Sequence, residues 1–128
     1  MRTAPSVGLI ALCFALAGPA LAGTFKPYKA AAFDAALQSG KPVIVHVHAD
    51  WCVYCNRQMP ILDALLKKPE LGKASAFRVN YDTDREFLRR FGVRGQSTVL
   101  VFNGGKETAR SAFVVDPAAL SAQIFAGL

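Results

Sequence analysis

Histidine and cysteine are scarce in this chain of 128 residues. There are two histidines, His46 and His48, and three cysteines, Cys13, Cys52 and Cys55. A structural zinc site normally uses four such ligands. With no second C-x-x-C and no Cys/His pair at finger spacing, the sequence speaks against that class. Beyond residue 22 no apolar run approaches the roughly 20 residues of a spanning helix, so no stable membrane insertion is expected. The 15 Lys and Arg outnumber the 9 Asp and Glu, for a net charge of +6. They are scattered, though, with no basic stripe interleaved with aromatics, and nucleic acid is therefore not an expected partner. Repeats, low-complexity tracts and linkers are also missing, which leaves one domain.

The beginning of the chain has a different character. Met1 and Arg2 give a basic start, Val7 to Ala17 is almost wholly apolar, and Gly18-Pro19 breaks the run ahead of Ala20-Leu21-Ala22. This is the pattern of a secretory signal peptide, with cleavage expected after Ala22. The expected domains are thus a leader over 1–22 and one folded domain over 23–128, in the periplasm or secreted. Cleavage removes Cys13. Only Cys52 and Cys55 then remain, which suits an oxidising compartment.

In the folded part, Gly23–Tyr28 is a short lead-in suited to an edge strand, and Pro27 limits its pairing. Residues 30–38 have helical spacing at Ala31, Phe33, Ala36 and Leu37, closed by Ser39-Gly40. Pro42–His48 is rich in β-branched residues and reads as a buried central strand. A helix is expected from about Cys52 to about Lys68, with Ile61, Leu62, Leu65 and Leu66 inward. Ala76–Tyr81 reads as a strand and Asp84–Arg90 as a short helix. Thr98–Phe102 and Thr108–Val114 read as a hairpin turned at Asn103-Gly104-Gly105. Asp116 caps a last helix, with Pro117 in its first position and Leu120, Ile124 and Phe125 on its buried side. The order β-α-β-α-β-α-β-β-α predicts an α/β fold, a central mixed sheet flanked by helices.

Cys52 and Cys55, three apart at a helix start, carry the chemistry. The spacing places both sulfurs on one side of the first turn. There the free N–H groups and the positive end of the helix dipole favour a thiolate at Cys52. Cys52 is the expected nucleophile and Cys55 the resolving thiol, through a mixed disulfide.

The segment from Lys41 to Phe102 closely resembles thioredoxin. The resemblance rests on Pro42-Val43-Ile44-Val45 followed by Ala49-Asp50-Trp51-Cys52, and on Pro60 in the active-site helix. It also rests on Asn80 and Asp82, on Phe91-Gly92-Val93-Arg94-Gly95, and on Asn103-Gly104-Gly105. It implies a thioredoxin fold, and the Ala-Asp-Trp-Cys-Val-x-Cys pattern is most similar to exported reductant domains. It also implies that the loop Gln96-Ser97-Thr98 and Trp51 contact substrate.

Five positions depart from the family. Ser97 stands where thioredoxins carry a cis-proline, so a trans Gln96–Ser97 bond in a rearranged loop is expected, with a serine hydroxyl able to hydrogen-bond the Cys52 thiolate. His46 replaces the aspartate under the resolving cysteine, and Arg78 the usual lysine. His46 is read either as the proton acceptor for Cys55 or as a neutral strand histidine satisfied by a backbone carbonyl. His48 replaces an aromatic residue and is expected as a partly exposed loop-entry residue. Phe113 stands where glycine is usual and is expected to fill the groove and narrow the substrate range. Asp50 reads as surface charge, and Val53 and Tyr54 as residues that tune the potential.

The expected function is an exported thiol-disulfide oxidoreductase, a monomer without bound cofactor. It would reduce protein disulfides with electrons from a membrane thiol-reductase donor. Two alternatives stand beside it: a net oxidant, or a non-catalytic module in which Cys52, Cys55 and a nearby histidine hold Cu(I).

Overall fold

A computed structural model describes residues 23–128. The expected leader over 1–22, with Cys13, lies outside the described residues. Five strands and four helices follow in the expected order. They are β1 (Lys26–Pro27), α1 (Ala30–Gln38), β2 (Val43–His48), α2 (Val53–Leu66), β3 (Ser75–Asn80), α3 (Arg85–Phe91), β4 (Thr98–Asn103), β5 (Lys106–Ala112) and α4 (Pro117–Ala126). A 3-10 turn at Pro69–Leu71 links α2 to β3.

The sheet order is β1-β3-β2-β4-β5. β3 runs parallel to both β1 and β2, whereas β4 pairs antiparallel with β2 and with β5. β2 is buried along its whole length, as expected for a central strand covered by helices on both faces. Its odd residues, Val43, Val45 and Val47, pack with Phe33 of α1 and Phe87 and Leu88 of α3. On the opposite face Ile44 packs with Leu62, Leu65 and Leu66 of α2 and Leu120 and Ile124 of α4. By the alternation of side chains along a strand, His46 and His48 share the face of Ile44, under α2.

Local chemistry accounts for most of the boundaries. Asp116 caps α4, its Oδ2 accepting from Ala119 N at 2.8 Å. The Gly104-Gly105 turn has φ of 61° and 78°, the pair of positive angles that a two-residue hairpin loop requires. α1 turns Phe33 inward and leaves Ala31 exposed. Some edges move from their expected places. α2 stops at Leu66 rather than Lys68. β5 covers Lys106–Ala112, starting and ending two residues earlier than the sequence pattern suggests. Phe113 has φ of 60°, a left-handed conformation outside the β region, and the strand ends before it.

Candidate active site

The site begins at the first turn of α2. Cys52 is the N-cap, with extended backbone at φ −87° and ψ 112°, and its Sγ accepts a hydrogen bond from Cys55 N at 3.1 Å. Sulfur thus occupies the place that a serine or aspartate oxygen takes in an ordinary cap. Negative charge on it is favoured by the N–H and by the dipole end. Cys52 and Cys55 are joined as a disulfide, their Cα atoms 5.2 Å apart, within the range a disulfide needs. Cys55 is fully buried and Cys52 2 % exposed, so what access there is lies at Cys52. Around it stand exposed apolar side chains: Trp51, Val53, Tyr54 and Phe113. Trp51 is held by its Nε1–H to Asp82 Oδ2 at 2.9 Å and lies edge-on to Tyr81. Tyr54 and Phe113 meet edge to face at 5.5 Å.

The loop before β4 contains no cis peptide bond among the described residues, and Ser97 has φ of 62°. The left-handed conformation is uncommon for a non-glycine residue and costs of the order of 1–2 kcal/mol. Its surroundings hold it there. Ser97 N donates to Val47 O at 2.8 Å, and Ser97 O accepts from Phe113 N at 3.0 Å and from Gln58 Nε2 at 3.2 Å. Both backbone groups are therefore taken inside the protein. Beside the Cys52–Cys55 disulfide, Ser97 Oγ is buried without a hydrogen-bond partner among the described residues. Thr98 is also buried, its hydroxyl donating to Gly95 O at 2.8 Å. Of the three loop residues expected to touch substrate, only Gln96 keeps a partly exposed side chain.

Gln58 is the residue that sequence reasoning missed. It is fully buried on the inward face of α2, one turn after Cys55. Its Nε2 donates to Ser97 O and, at 2.8 Å, to Val114 O. The amide oxygen therefore faces His46 Nε2 at 3.0 Å. An amide oxygen can only accept, so Nε2 carries the hydrogen and Nδ1 keeps its lone pair. The available signal was its place in the series Cys55, Gln58, Leu62, Leu65, a polar residue at core spacing.

His46 is fully buried, and its partner is Gln58 rather than the backbone carbonyl of the second sequence reading. Burial pushes its pKa down from 6.5 to about 4; the Gln58 hydrogen bond opposes this, and His48 and Arg78 add to it. It is neutral at pH 7. His48 is more enclosed than expected, at 9 % exposure. Its Nε2 lies 3.2 Å from Asp50 Oδ1, which gives the exposed Asp50 a specific contact. Arg78 is in register with His46 and lies 5.2 Å over the Phe25 ring.

A buried dithiol-disulfide at a helix N-terminus, on a five-stranded mixed sheet between two helical layers, defines a thioredoxin-fold redox protein. The comparisons agree. The Thioredoxin family profile matches residues 24–125, and the chain belongs to the thioredoxin family. It is similar to the crystal structure of Trxlp from Edwardsiella tarda, at 40 % identity and a TM-score of 0.77, over 79 % of this chain and 98 % of that one. Thioredoxin M4 of Arabidopsis thaliana chloroplasts is 37 % identical over 56 % of this chain and 36 % of its own length. Protein disulfide-isomerase erp38 of Neurospora crassa is 36 % identical over 58 % of this chain and 21 % of its own length. The chain thus spans well under half the length of these two curated relatives.

Proposed function

We propose that this protein is an exported thiol-disulfide oxidoreductase that reduces protein disulfides. The observation that carries the reading is the capping sulfur, Cys52 Sγ, on Cys55 N–H. That hydrogen bond stabilises the Cys52 thiolate that attacks the client. In the reduced protein the Cys52 thiolate attacks one sulfur of a client disulfide. The client S–S bond breaks, one client thiolate departs and takes up a proton, and a mixed disulfide remains on Cys52. Cys55 then loses its proton and attacks Cys52 Sγ. The second client thiolate leaves, and the Cys52–Cys55 disulfide remains. Cys55 Sγ lies 3.8 Å from Val47 O, an acceptor that holds the free thiol until it is needed. A ring nitrogen of His46 lies within 4.8 Å of Cys55 Sγ; Nδ1, unpartnered among the described residues, is the lone pair left to take its proton, and its lowered basicity makes it a brief stop for that proton.

Clients meet the apolar rim of Trp51, Val53, Tyr54 and Phe113, with Gln96 at its border. The outward-facing rings give contact area without sequence selectivity. The leader pattern of residues 1–22 supports an extracytoplasmic site, where a membrane thiol-reductase donor returns the electrons. No helix among the described residues is long and apolar enough to cross a membrane.

The test is reduction of a protein disulfide by the protein with excess dithiol. Activity should disappear in Cys52→Ser, and Cys55→Ser should accumulate mixed disulfides through Cys52. Failure to form any such adduct defeats the reading. Equilibration in glutathione buffer fixes direction, and a potential above about −150 mV would make the protein an oxidant instead.

A further inference from the structure

The two histidines beneath the thiols do more than thiol exchange requires. One ring nitrogen from His46, one from His48 and Cys55 Sγ lie within 4.8 Å of one another, and all three residues are buried. The hydrogen bonds decide which nitrogens are free. Gln58 Oε1 takes the hydrogen on His46 Nε2, and Asp50 Oδ1 takes that on His48 Nε2. Each neutral ring is left with a lone pair on Nδ1. Both Nδ1 atoms are buried and without hydrogen-bond partners among the described residues. Two buried rings with unpartnered acceptors, each with a nitrogen within 4.8 Å of one sulfur, are costly as a resting arrangement. They are a ready donor set for a cation, already oriented through the other nitrogen of each ring, as in metal sites.

We propose that reduction of the Cys52–Cys55 disulfide opens a buried Cu(I) site formed by His46 Nδ1, His48 Nδ1 and Cys55 Sγ, a metal-held state of the reduced protein. The site rests on the dithiol reading above, because the disulfide ties up Cys55 Sγ. An external dithiol supplies two electrons and two protons, the S–S bond breaks, and two thiols form while the reductant becomes a disulfide. Cys55 then gives up its proton to solvent as its sulfur bonds the metal, one proton released for each ion bound. Bond lengths of about 2.0–2.3 Å to nitrogen and sulfur need donors nearer to about 3.5 Å apart. The set must therefore contract by about 1 Å, and freeing Cys55 from its tether provides that movement.

Charge and donor number select the ion. One thiolate and two neutral imidazoles carry a single negative charge, which a monovalent ion balances. A divalent ion would leave a net positive charge on these three donors, with Arg78 the strand neighbour of His46 and the one nearby carboxylate, Asp50 on His48 Nε2, exposed to solvent. Zn(II) also prefers four ligands, whereas the cluster offers three, and a thiolate-imidazole set suits Cu(I). A cleft of about 240 Å³ lined by Phe25, Pro27, His48, Asp50, Arg78 and Asn80 leads to His48 from the β1 side. That route avoids the client rim. A bound ion would occupy both Cys55 and the lone pair on His46, and so would halt resolution.

The test is anaerobic titration with Cu(I) against a chromophoric Cu(I) chelator, on the reduced and disulfide forms. One equivalent should bind the reduced protein and none the disulfide form. Cys52→Ser should keep the site and Cys55→Ser lose it. His48→Phe should weaken it more than Gln58→Leu, which removes only an orienting group and should cost about 10–100-fold. X-ray absorption on the wild-type complex should show one sulfur and two nitrogens, and this needs no variant to fold. Loss of binding in Cys52→Ser, unchanged affinity in His48→Phe, or two sulfurs at the metal would each overturn the proposal. Tighter retention of Zn(II) than Cu(I) would overturn the choice of ion. Metal-free protein that exchanges disulfides but ignores Cu(I) defeats this site alone. Protein that binds Cu(I) without exchanging disulfides defeats the enzyme reading instead.

Discussion

One strand serves two different tasks on its two faces. The odd residues of β2, Val43, Val45 and Val47, enter an apolar layer in which Phe33 touches Phe77, Phe87, Phe91 and Phe102 at centroid distances of 5.4–5.7 Å. The even residues, Ile44, His46 and His48, begin in the apolar core against α2 and end in a string of buried polar groups leading to Cys55. Edge-to-face rings add about 0.5–1.5 kcal/mol a pair beyond burial. A buried imidazole without an acceptor for its N–H would cost stability, and Gln58 Oε1 accepts that of His46. The aromatic face holds the sheet together so that the other face can tolerate polar groups and strained backbone.

The comparison can be broken most forcefully on the aromatic side. Phe33→Ala should cost about 3–5 kcal/mol in denaturant unfolding, while the redox potential of the surviving folded protein stays where it was. On the polar side, pH is the probe. The folded His46 pKa of about 4 lies below its unfolded value of 6.5, so between those values the unfolded chain binds a proton that the folded protein does not. Stability should be constant above pH 6.5 as far as this group is concerned, then fall toward pH 4 by on the order of 3 kcal/mol. His46→Asn should flatten that slope, and an unchanged slope would show that His46 is not its source. Gln58→Leu comes next, at about 1–3 kcal/mol, because it strands the His46 Nε2–H and removes a donor from Ser97 O and Val114 O. It should also slow Cys55 resolution more than Cys52 attack, read as persistence of mixed disulfide. Ser97→Gly has the smallest effect. Relief of the left-handed serine backbone outweighs the added chain entropy by less than about 1 kcal/mol, seen as a slight rise in the unfolding midpoint.

The sequence exposes the two faces unequally. Strand and helix order could be read because period and composition agree at Val43–Val47, at Leu62–Leu66 and around Gly104-Gly105. Cys52 and Cys55 could be read because their spacing at a helix start, in thioredoxin-like surroundings, points to thiol exchange. Gln58 and the free Nδ1 atoms could not, since they depend on hydrogen bonds to residues far along the chain. Ser97 was readable as a departure, but its consequence was not. A serine can point anywhere until Val47 O and Phe113 N fix the backbone on both sides of it. The early end of β5 has the same origin, because nothing local forces Phe113 into positive φ.

Gln58 reaches Ser97 across 39 residues and Val114 across 56. The disulfide loop, by contrast, spans three. The two cysteines can therefore find each other in a chain that is still unfolded, whereas the pocket beneath them closes only when both ends of the domain have arrived. Contacts of such long sequence separation are slow to form. An oxidant that meets the chain early will thus seal the disulfide before the surroundings that control its reactivity are assembled.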